Sequence, residues 1–411
     1  MSNDEKLIRM LKYVSEHNDF YKKRIKEYGI TNPLDITSWP ILTRKELQEN
    51  RYNMFSEGYQ NKYYWNQLIH KTSSGSSGIP VHVYWDQRDL YSAAKTLWKL
   101  RRKYYGIMPY SKRLSFDHFD SDTKFTHYHP NHYVLSANSA LLCSAFNDKT
   151  ILSIISHFSP KWLYLRPSQL EKLVGIFLRN DYQPPQFLSY IETYGEPLST
   201  KLQSFSSHLF NVPVANMYGT EEVNAIALSC PCQTMHLLND NVYLECLNSS
   251  NFSSNEGEAI ITSLLNHAMP LIRYNICDIL QIKSINNPCA CGSLHTTSLS
   301  SVVGRTNECV LISPGKELNP SVLLEIIGSV NNEFGYSISE YKFLYHPSKR
   351  LLECAFETNI ENVAWRQNII ESLSGKLKKY LSGLDKINLS FLLIPPISTE
   401  GKKKNVFELI S

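Results

Sequence analysis

Between residues 160 and 265 the chain alternates short β-like runs with capped helical ones, and this alternation confines it to a layered α/β architecture. Ile191-Glu-Thr, Val212-Pro-Val-Ala, Val242-Tyr-Leu-Glu and Ala259-Ile-Ile-Thr each read as a short strand bounded by Gly, Pro or Asn. Ahead of Leu173, Val174, Ile176 and Phe177, Ser168-x-x-Glu171 has the form of a capping box, and Pro167 ends whatever strand precedes it. Thr43-x-x-Glu46 repeats the box, and Leu7, Ile8, Leu11 and Val14 recur at helical spacing. Residues 1–70 therefore read as largely helical.

The character changes after Gly304-Arg305. Cys309-Val-Leu-Ile-Ser reads as a strand ending in a Pro314-Gly315 turn, and Asn319 caps a helix with Pro320 at its first position. Strand-like Leu351 to Phe356, an amphipathic helix from about Trp365 to Leu381 and strand-like Ile387 to Ile394 follow. With 411 residues the chain is too long for one compact core. The expected division is a large N-terminal domain, 1–306, with mixed β-sheets flanked by helices, and a small α+β C-terminal domain, 307–411.

Composition removes several classes. Forty-two basic against 38 acidic residues leave a net charge of +4, too mild and too scattered for a nucleic-acid track. Apolar runs fall short of the roughly 18 residues of a membrane span, and the charged start Met1-Ser-Asn-Asp-Glu-Lys lacks a signal-peptide core. A cytoplasmic protein without membrane insertion is expected. Nine cysteines, an odd number, point to reduced thiols or metal ligands rather than a disulfide framework.

The segment Thr72-Ser73-Ser74-Gly75-Ser76-Ser77-Gly78-Ile79-Pro80 packs hydroxyls and glycines together. Glycine permits positive-φ turns and close approach of the backbone to a ligand, and clustered donors suit an anion. A solvated Ser/Gly linker has the same composition. The flanks favour an anchored loop, because Leu68-Ile69 and the alternating Val81-His82-Val83-Tyr84 read as half-buried strands. It is not a Walker A loop, since the Gly-Lys-Ser/Thr ending is missing.

Asn216-Met-Tyr218-Gly219-Thr-Glu221-Glu222 reads as a strand entering a Tyr-Gly turn followed by two acids. An aromatic ring there can stack on a purine and a carboxylate can hold hydrated magnesium; a buried tyrosine followed by helix-capping acids fits the same letters. Gly195-Glu196-Pro197 follows another strand end, where open α/β sheets bind ligands. Cys230-Pro-Cys232 with His236, and Cys289-Ala-Cys291-Gly292, resemble two halves of a tetrahedral zinc site, with five candidate ligands for four places. Cys143, Cys246, Cys277, Cys309 and Cys354 read as small core residues. His118, His127, His129 and His132, among Phe116, Phe119 and Tyr128, read as a polar loop packed by aromatics, with an aromatic-acid pocket or second metal as sharper alternatives. Lys99-Leu-Arg-Arg-Lys103 reads as a solvated basic helix face, the alternative being attraction of CoA phosphates or a carrier protein.

In this order the motifs resemble those of adenylate-forming enzymes, specifically phenylacetate:CoA ligases and their capsule-biosynthesis relatives. The 72–80 loop resembles the family's phosphate loop, Gly195-Glu196-Pro197 its adenine-contacting turn and Tyr218-Gly-Thr-Glu-Glu222 its Tyr-Gly-x-Ser/Thr-Glu motif. Pro270-Leu-Ile-Arg-Tyr-Asn-Ile-Cys-Asp278 resembles the ribose-holding segment, Gly304-Arg305 the hinge signature and Gly401-Lys402 the C-terminal lysine motif. Phe20-Tyr21 and Pro40-Ile-Leu-Thr-Arg-Lys45 resemble its N-terminal region.

The resemblance implies ATP-dependent activation of an aromatic or related carboxylic acid as acyl-AMP, with transfer to CoA, a carrier-protein thiol or an amine. It implies Ser73, Ser74, Gly75, Ser76, Ser77 and Gly78 on the phosphates, Asn216, Tyr218 and Gly219 on the nucleotide, magnesium on Glu222, and Asp278 and Arg305 on the ribose. It further implies Lys402 as catalytic cation and a mobile small domain hinged at Asn307. Cys230, His236, Cys289 and Cys291 become a structural zinc set, with Cys232 the rival ligand. Three positions depart from the pattern. Ile79 stands where relatives carry lysine, Glu221 where a Ser or Thr sits, and Asn307 where aspartate is common. An amide-forming ligase, another ATP-driven activation, or a degenerate zinc-stabilised binding protein are the alternatives; Glu222, Asp278, Arg305 and Lys402 together favour catalysis.

Overall fold

Capping chemistry starts the first helices, the Thr43 box as the sequence predicts and the Ser2 box in addition to it. Ser2 caps helix Asn3–His17 in a reciprocal box with Glu5, and Thr43 does the same with Glu46 for helix Arg44–Asn50. The computed structural model describes residues 2–73, 80–117, 128–129, 132–136, 139–143, 147–247, 256–284, 288–293, 297–305, 310–313, 316–318, 320–358, 362–381, 388–393 and 407–409. The chain divides into two units, each built from two stretches: Met1–Met108 with Met217–Asn307, and Pro109–Asn216 with Glu308–Ser411.

In the first unit, antiparallel strands run in the order Val242–Leu247, Glu256–Ser263, Tyr274–Ser284, Thr297–Arg305, Met235–Leu237, Asn224–Ser229 and the second half of Val214–Thr220. The N-terminal helices pack on this sheet and share one core with it, including Leu11, Val14, Trp39, Ile261 and Tyr274. Loop 264–273 is the main anchor. The buried Tyr21 hydroxyl donates to Pro270 O (2.9 Å) and accepts from Ile272 N (3.0 Å), while Arg273 donates to Trp39 O (2.6 Å) and pairs with Glu245 at 3.0 Å. The strands predicted around the Ser/Gly loop, Ile69–Thr72 and His82–Trp85, form an antiparallel hairpin with Lys71 opposite Val83.

In the second unit, parallel strands Arg113–Asp117, Ser139–Cys143, Trp162–Leu165 and Tyr190–Tyr194 form a sheet extended by antiparallel His132–Ser136 and Tyr128–His129, and from Ser139 on, helices Asp148–Phe158, Pro167–Arg179 and Thr200–Phe210 follow successive strands. Buried strands with little polar alternation are what a parallel sheet covered by helices requires. The C-terminal stretch is α+β, as expected. A sheet ordered Asn388–Leu393, Leu351–Thr358, Ile338–His346, Phe407–Leu409 packs helices Pro320–Glu333 and Val363–Leu381 around a core of its own that includes Leu323, Phe343, Cys354 and Leu373.

Two local expectations are corrected. The Ser168-x-x-Glu171 capping box does not form: the helix starts at Pro167, Arg166 N donates to Gln169 Oε1 (2.8 Å), and the Ser168 amide and hydroxyl are taken by Glu196 at 3.0 and 3.1 Å. Tyr218-Gly219 is strand rather than turn, and the turn, 221–223, joins two strands, so Glu221 and Glu222 cap no helix. Among the described residues no helix is long and apolar enough to cross a membrane.

Helix Gln87–Tyr105 is tied to the anchoring loop by His267, whose amide and ring nitrogen both engage Asp89 at 2.9 and 3.2 Å. The Asp89 carboxylate raises the His267 pKa above its ordinary 6.5 against the opposing effect of burial. A raised folded pKa stabilises the fold fully below 6.5, and that contribution is lost as pH rises through the raised value. The melting-temperature gap between wild type and His267→Gln is therefore expected to be widest near pH 5.5 and to shrink steadily towards pH 9. A gap independent of pH would remove the charge from this tie.

Candidate active site

Strand Val214–Thr220 and strand Tyr274–Ser284 supply the central pair of side chains. The Tyr218 hydroxyl donates to Asp278 Oδ2 at 2.6 Å, and Asp278 is buried at 4% exposure. The backbone of Asp278 is in register with Arg305 on the adjoining strand Thr297–Arg305, so two residues that the sequence separates are cross-strand partners. Gly219 permits the close approach of the next strand: a Cβ there would lie 2.6 Å from Asn224 O and 3.0 Å from Ala225 Cα.

Glu222, 5% exposed, leaves the hairpin turn and accepts from the Tyr274 hydroxyl at 3.5 Å. Burial first, and the Glu222 charge second, push the Tyr274 pKa far above the ordinary range for a phenol. Tyr274 thus stays a proton donor at any working pH and orients one oxygen of the carboxylate. Glu221 points elsewhere, pairing with Lys71 Nζ at 3.4 Å.

Of the Ser/Gly loop, Ser73 at the root is described and Ser74, Gly75, Ser76, Ser77, Gly78 and Ile79 lie outside the described residues. Ser73 is held three ways. Its amide donates to Val81 O (2.9 Å), and its hydroxyl accepts from Val81 N (2.9 Å) and from the Arg44 guanidinium (3.1 Å). Arg44 also acts electrostatically on the Tyr274 hydroxyl. Sequence reasoning missed Arg44, Lys71 and Tyr274 as site residues. Lys71 alone carried a signal, since period-two alternation places it on the same strand face as Ile69, with its cross-strand partner Val83 buried.

In the second unit, Gly195 takes a left-handed φ of 73° directly after strand Tyr190–Tyr194, the turn its sequence motif predicts. Glu196 spends both carboxylate oxygens on Ser168 at the start of helix Pro167–Arg179, a favourable place for a negative charge. Pro197 follows in the same loop. Asn216 accepts from Thr193 Oγ1 at 3.3 Å. Lys402, Asn307 and the Arg305 side chain lie outside the described residues, as do His118 and His127.

The cysteine and histidine motifs converge. Ligand atoms of Cys230, His236, Cys289 and Cys291 all lie within 4.8 Å of one another, with Cys230 Sγ 3.8 Å from Cys289 Sγ and Cys291 Sγ 3.2 Å from His236 Nε2. Two tight turns shape the site: Gln233 N donates to Cys230 O (2.9 Å) and Gly292 N to Cys289 O (2.8 Å). Cys232 is exposed and outside this group. Burial pushes the Cys230 thiol up to about 12, whereas the Cys291 amide, followed by hydroxyl and thiol donors, draws Cys289 down to about 7. Helix Gln87–Tyr105 closes the cluster with its last turn, Tyr104 Oη lying 3.8 Å from Cys291 Sγ and Lys103 Nζ 3.4 Å from Gly292 O. The Lys99–Lys103 run is accordingly not one solvated face, since Arg101 is 6% exposed.

No protein-family model matches the chain. Among curated proteins it is similar to the phenylacetate-coenzyme A ligase of Thermus thermophilus, 22% identical over 325 residues spanning 75% of this chain and 71% of the relative. It is also similar to protein CapK of Staphylococcus aureus, 22% identical over 408 residues spanning 95% and 85%. Among solved structures, 2-hydroxyisobutyryl-CoA ligase in the postadenylation state with 2-HIB-AMP matches with a TM-score of 0.74 at 15% identity, covering 99% of this chain and 88% of that one. The same ligase with 2-HIB-AMP and CoA in its thioesterification state gives 0.60 at 15% identity over 99% and 88%. An anthranilate CoA ligase with anthranoyl-AMP gives 0.54 at 13% identity over 82% and 66%. With its motifs in order and its fold matched end to end, the chain shares the fold of these adenylate-bound CoA ligases and is similar in sequence to phenylacetate-coenzyme A ligases and CapK.

Proposed function

We propose that the chain is an AMP-forming acid ligase of the cytoplasm that activates a carboxylic acid, aromatic by class, and passes the acyl group to coenzyme A. A carboxylate oxygen attacks the α-phosphorus of ATP, the bond to pyrophosphate breaks, and a thiol then attacks the acyl carbon as AMP leaves. The observation that carries this reading is the Tyr218–Asp278 bond at 2.6 Å, in the same unit as Glu222, Tyr274 and the Ser73 root of the loop. The acyl-AMP and CoA held by the structural relatives agree with it. A carrier-protein thiol or an amine would enter the second step in the same way.

In this reading Tyr218 and Gly219 flank the nucleotide and Asp278 and Arg305 take the ribose hydroxyls. Glu222, oriented by Tyr274, would hold magnesium, which would neutralise charge on the phosphates. Residues 73–78 supply donors, Arg44 braces them through Ser73, and Gly195, Glu196, Pro197 and Asn216 keep their part in nucleotide contact. For Glu196 that part is played through the loop it fixes, because its carboxylate is occupied by Ser168. Lys402 supplies the cation for adenylation, and a turn about Asn307 in the small domain, 307–411, separates the two half-reactions.

The four-residue cluster fits zinc. Bonds of about 2.3 Å from tetrahedral zinc to sulfur put two thiolates about 3.8 Å apart, the spacing of Cys230 and Cys289. Three thiolates and one imidazole form a closed set with no open position, so the metal's contribution is structural.

Two measurements test these assignments. Acid-dependent exchange of labelled pyrophosphate into ATP, across aryl and alkyl acids, is expected with at least one acid. Lys402→Ala should lower it roughly 10²-fold or more while ATP binding survives; absence of exchange with every acid would end the ligase reading. Purified protein should carry about one zinc per chain, and Cys289→Ser should lose it together with several degrees of melting temperature. A metal-free protein with unchanged stability would leave the cluster as free thiols.

A further inference from the structure

This inference rests on the ligase reading and concerns how its phosphate site is neutralised. Two features of the sequence bear on that site: the Ser/Gly loop 72–80 carries no lysine or arginine of its own, and Glu221 adds a carboxylate one residue before Glu222, which would hold magnesium in that reading. Taken alone, each weakens the hold on a polyphosphate. Lys71 links them. It sits on strand Ile69–Thr72, immediately before the loop, and its ammonium lies 3.4 Å from Glu221 Oε2.

The strand's alternation decides which way Lys71 faces. His70 and Thr72 share the other face with His82, where their polar atoms lie 2.9 to 3.4 Å apart, whereas the Lys71 partner Val83 is fully buried. Lys71 therefore reaches towards the turn that carries Glu221 and Glu222 instead of towards solvent alone. Its side chain is 39% exposed and that of Glu221 51%, so the pair is solvated and weak, and it can be exchanged for a stronger one at little cost. A polyphosphate offers several negative oxygens to one ammonium and outcompetes a lone exposed carboxylate.

We propose that Lys71 is the phosphate-binding cation of this chain, supplying from the adjoining strand the positive charge that the Ser/Gly loop lacks. Glu221 holds it in place until nucleotide arrives. The ligand class is the β- and γ-phosphates of magnesium-bound ATP, and pyrophosphate after the first step. Arg44, braced on Ser73, shapes the loop root; Lys71 supplies the charge that discriminates triphosphate from monophosphate.

Calorimetric binding of MgATP and of AMP to the full-length protein tests this. Lys71→Met should weaken MgATP about tenfold and leave AMP within about twofold, since AMP lacks the phosphates that Lys71 contacts. Glu221→Gln should bind MgATP as well as wild type or better, and its melting temperature should stay within a degree or two because the exposed pair contributes little. Lys71→Arg should restore the preference for ATP. Equal losses for ATP and AMP in Lys71→Met, or an unchanged ratio, would overturn the assignment and leave the pair as a surface contact. Wild type that binds AMP but gains nothing from the added phosphates refutes Lys71 alone, whereas wild type that binds neither nucleotide removes the ligase reading and this inference with it.

Discussion

One pair of main-chain hydrogen bonds organises the first unit. Leu42 N donates to Arg273 O (2.9 Å) and Asn275 N donates to Leu42 O (3.0 Å), so Leu42 lies alongside Tyr274 as a one-residue parallel bridge. Leu42 is fully buried, which leaves its amide and carbonyl no water to turn to if the bridge opens. Everything at the site is reckoned from this point. Arg44 follows Leu42 by two residues and reaches the Ser/Gly loop; Tyr274 aims at Glu222; Asp278 lies four residues further along the same strand and meets Tyr218. The Arg273 ion pair with Glu245 and its bond to Trp39 O hold the bridge from the side.

The charges of the site are distributed to match. Two acidic groups are buried and each has a donor: Asp278 has the Tyr218 hydroxyl and Glu222 that of Tyr274, while Glu221 stays exposed. The hydrogen bond fixes the direction of a buried carboxylate. Cations stand at the rim, where Lys71 remains solvated and can change partner. This division puts rigidity in the low-dielectric interior and exchange at the surface.

Much of the fold was legible because its signals are local. The helix start at Thr43 depends on a side chain bonding an amide three residues on, and the strands about the Ser/Gly loop depend on alternation within a few residues. Ser168 was misread because a carboxylate 28 positions away, Glu196, competes for its amide and hydroxyl, a rival that no local rule contains. Tyr218-Gly219 was read as a turn because glycine commonly marks one; here glycine is needed for the close approach of a neighbouring strand. The paired cysteine motifs were legible as half-sites from spacing alone, while the exclusion of Cys232 follows from its exposure.

The amino-acid sequence by itself determined the α/β class, the order of the motifs and the chemical inventory: hydroxyls and glycines in one loop, two adjacent acids, and thiols in short turns. Those properties reside in runs of a few residues, over which backbone sterics and side-chain reach act directly. Only the tertiary structure decided the partners. Tyr218 meets Asp278 across 60 positions, Cys230 meets Cys289 across 59, and Glu221 finds its cation on a hairpin far upstream, at Lys71. Such meetings are set by strand register and by the burial of a shared core: a shift of one residue would turn Tyr218, Asp278 and Lys71 to the opposite face, and the turns that carry Glu221 and Cys230 start from the same strands.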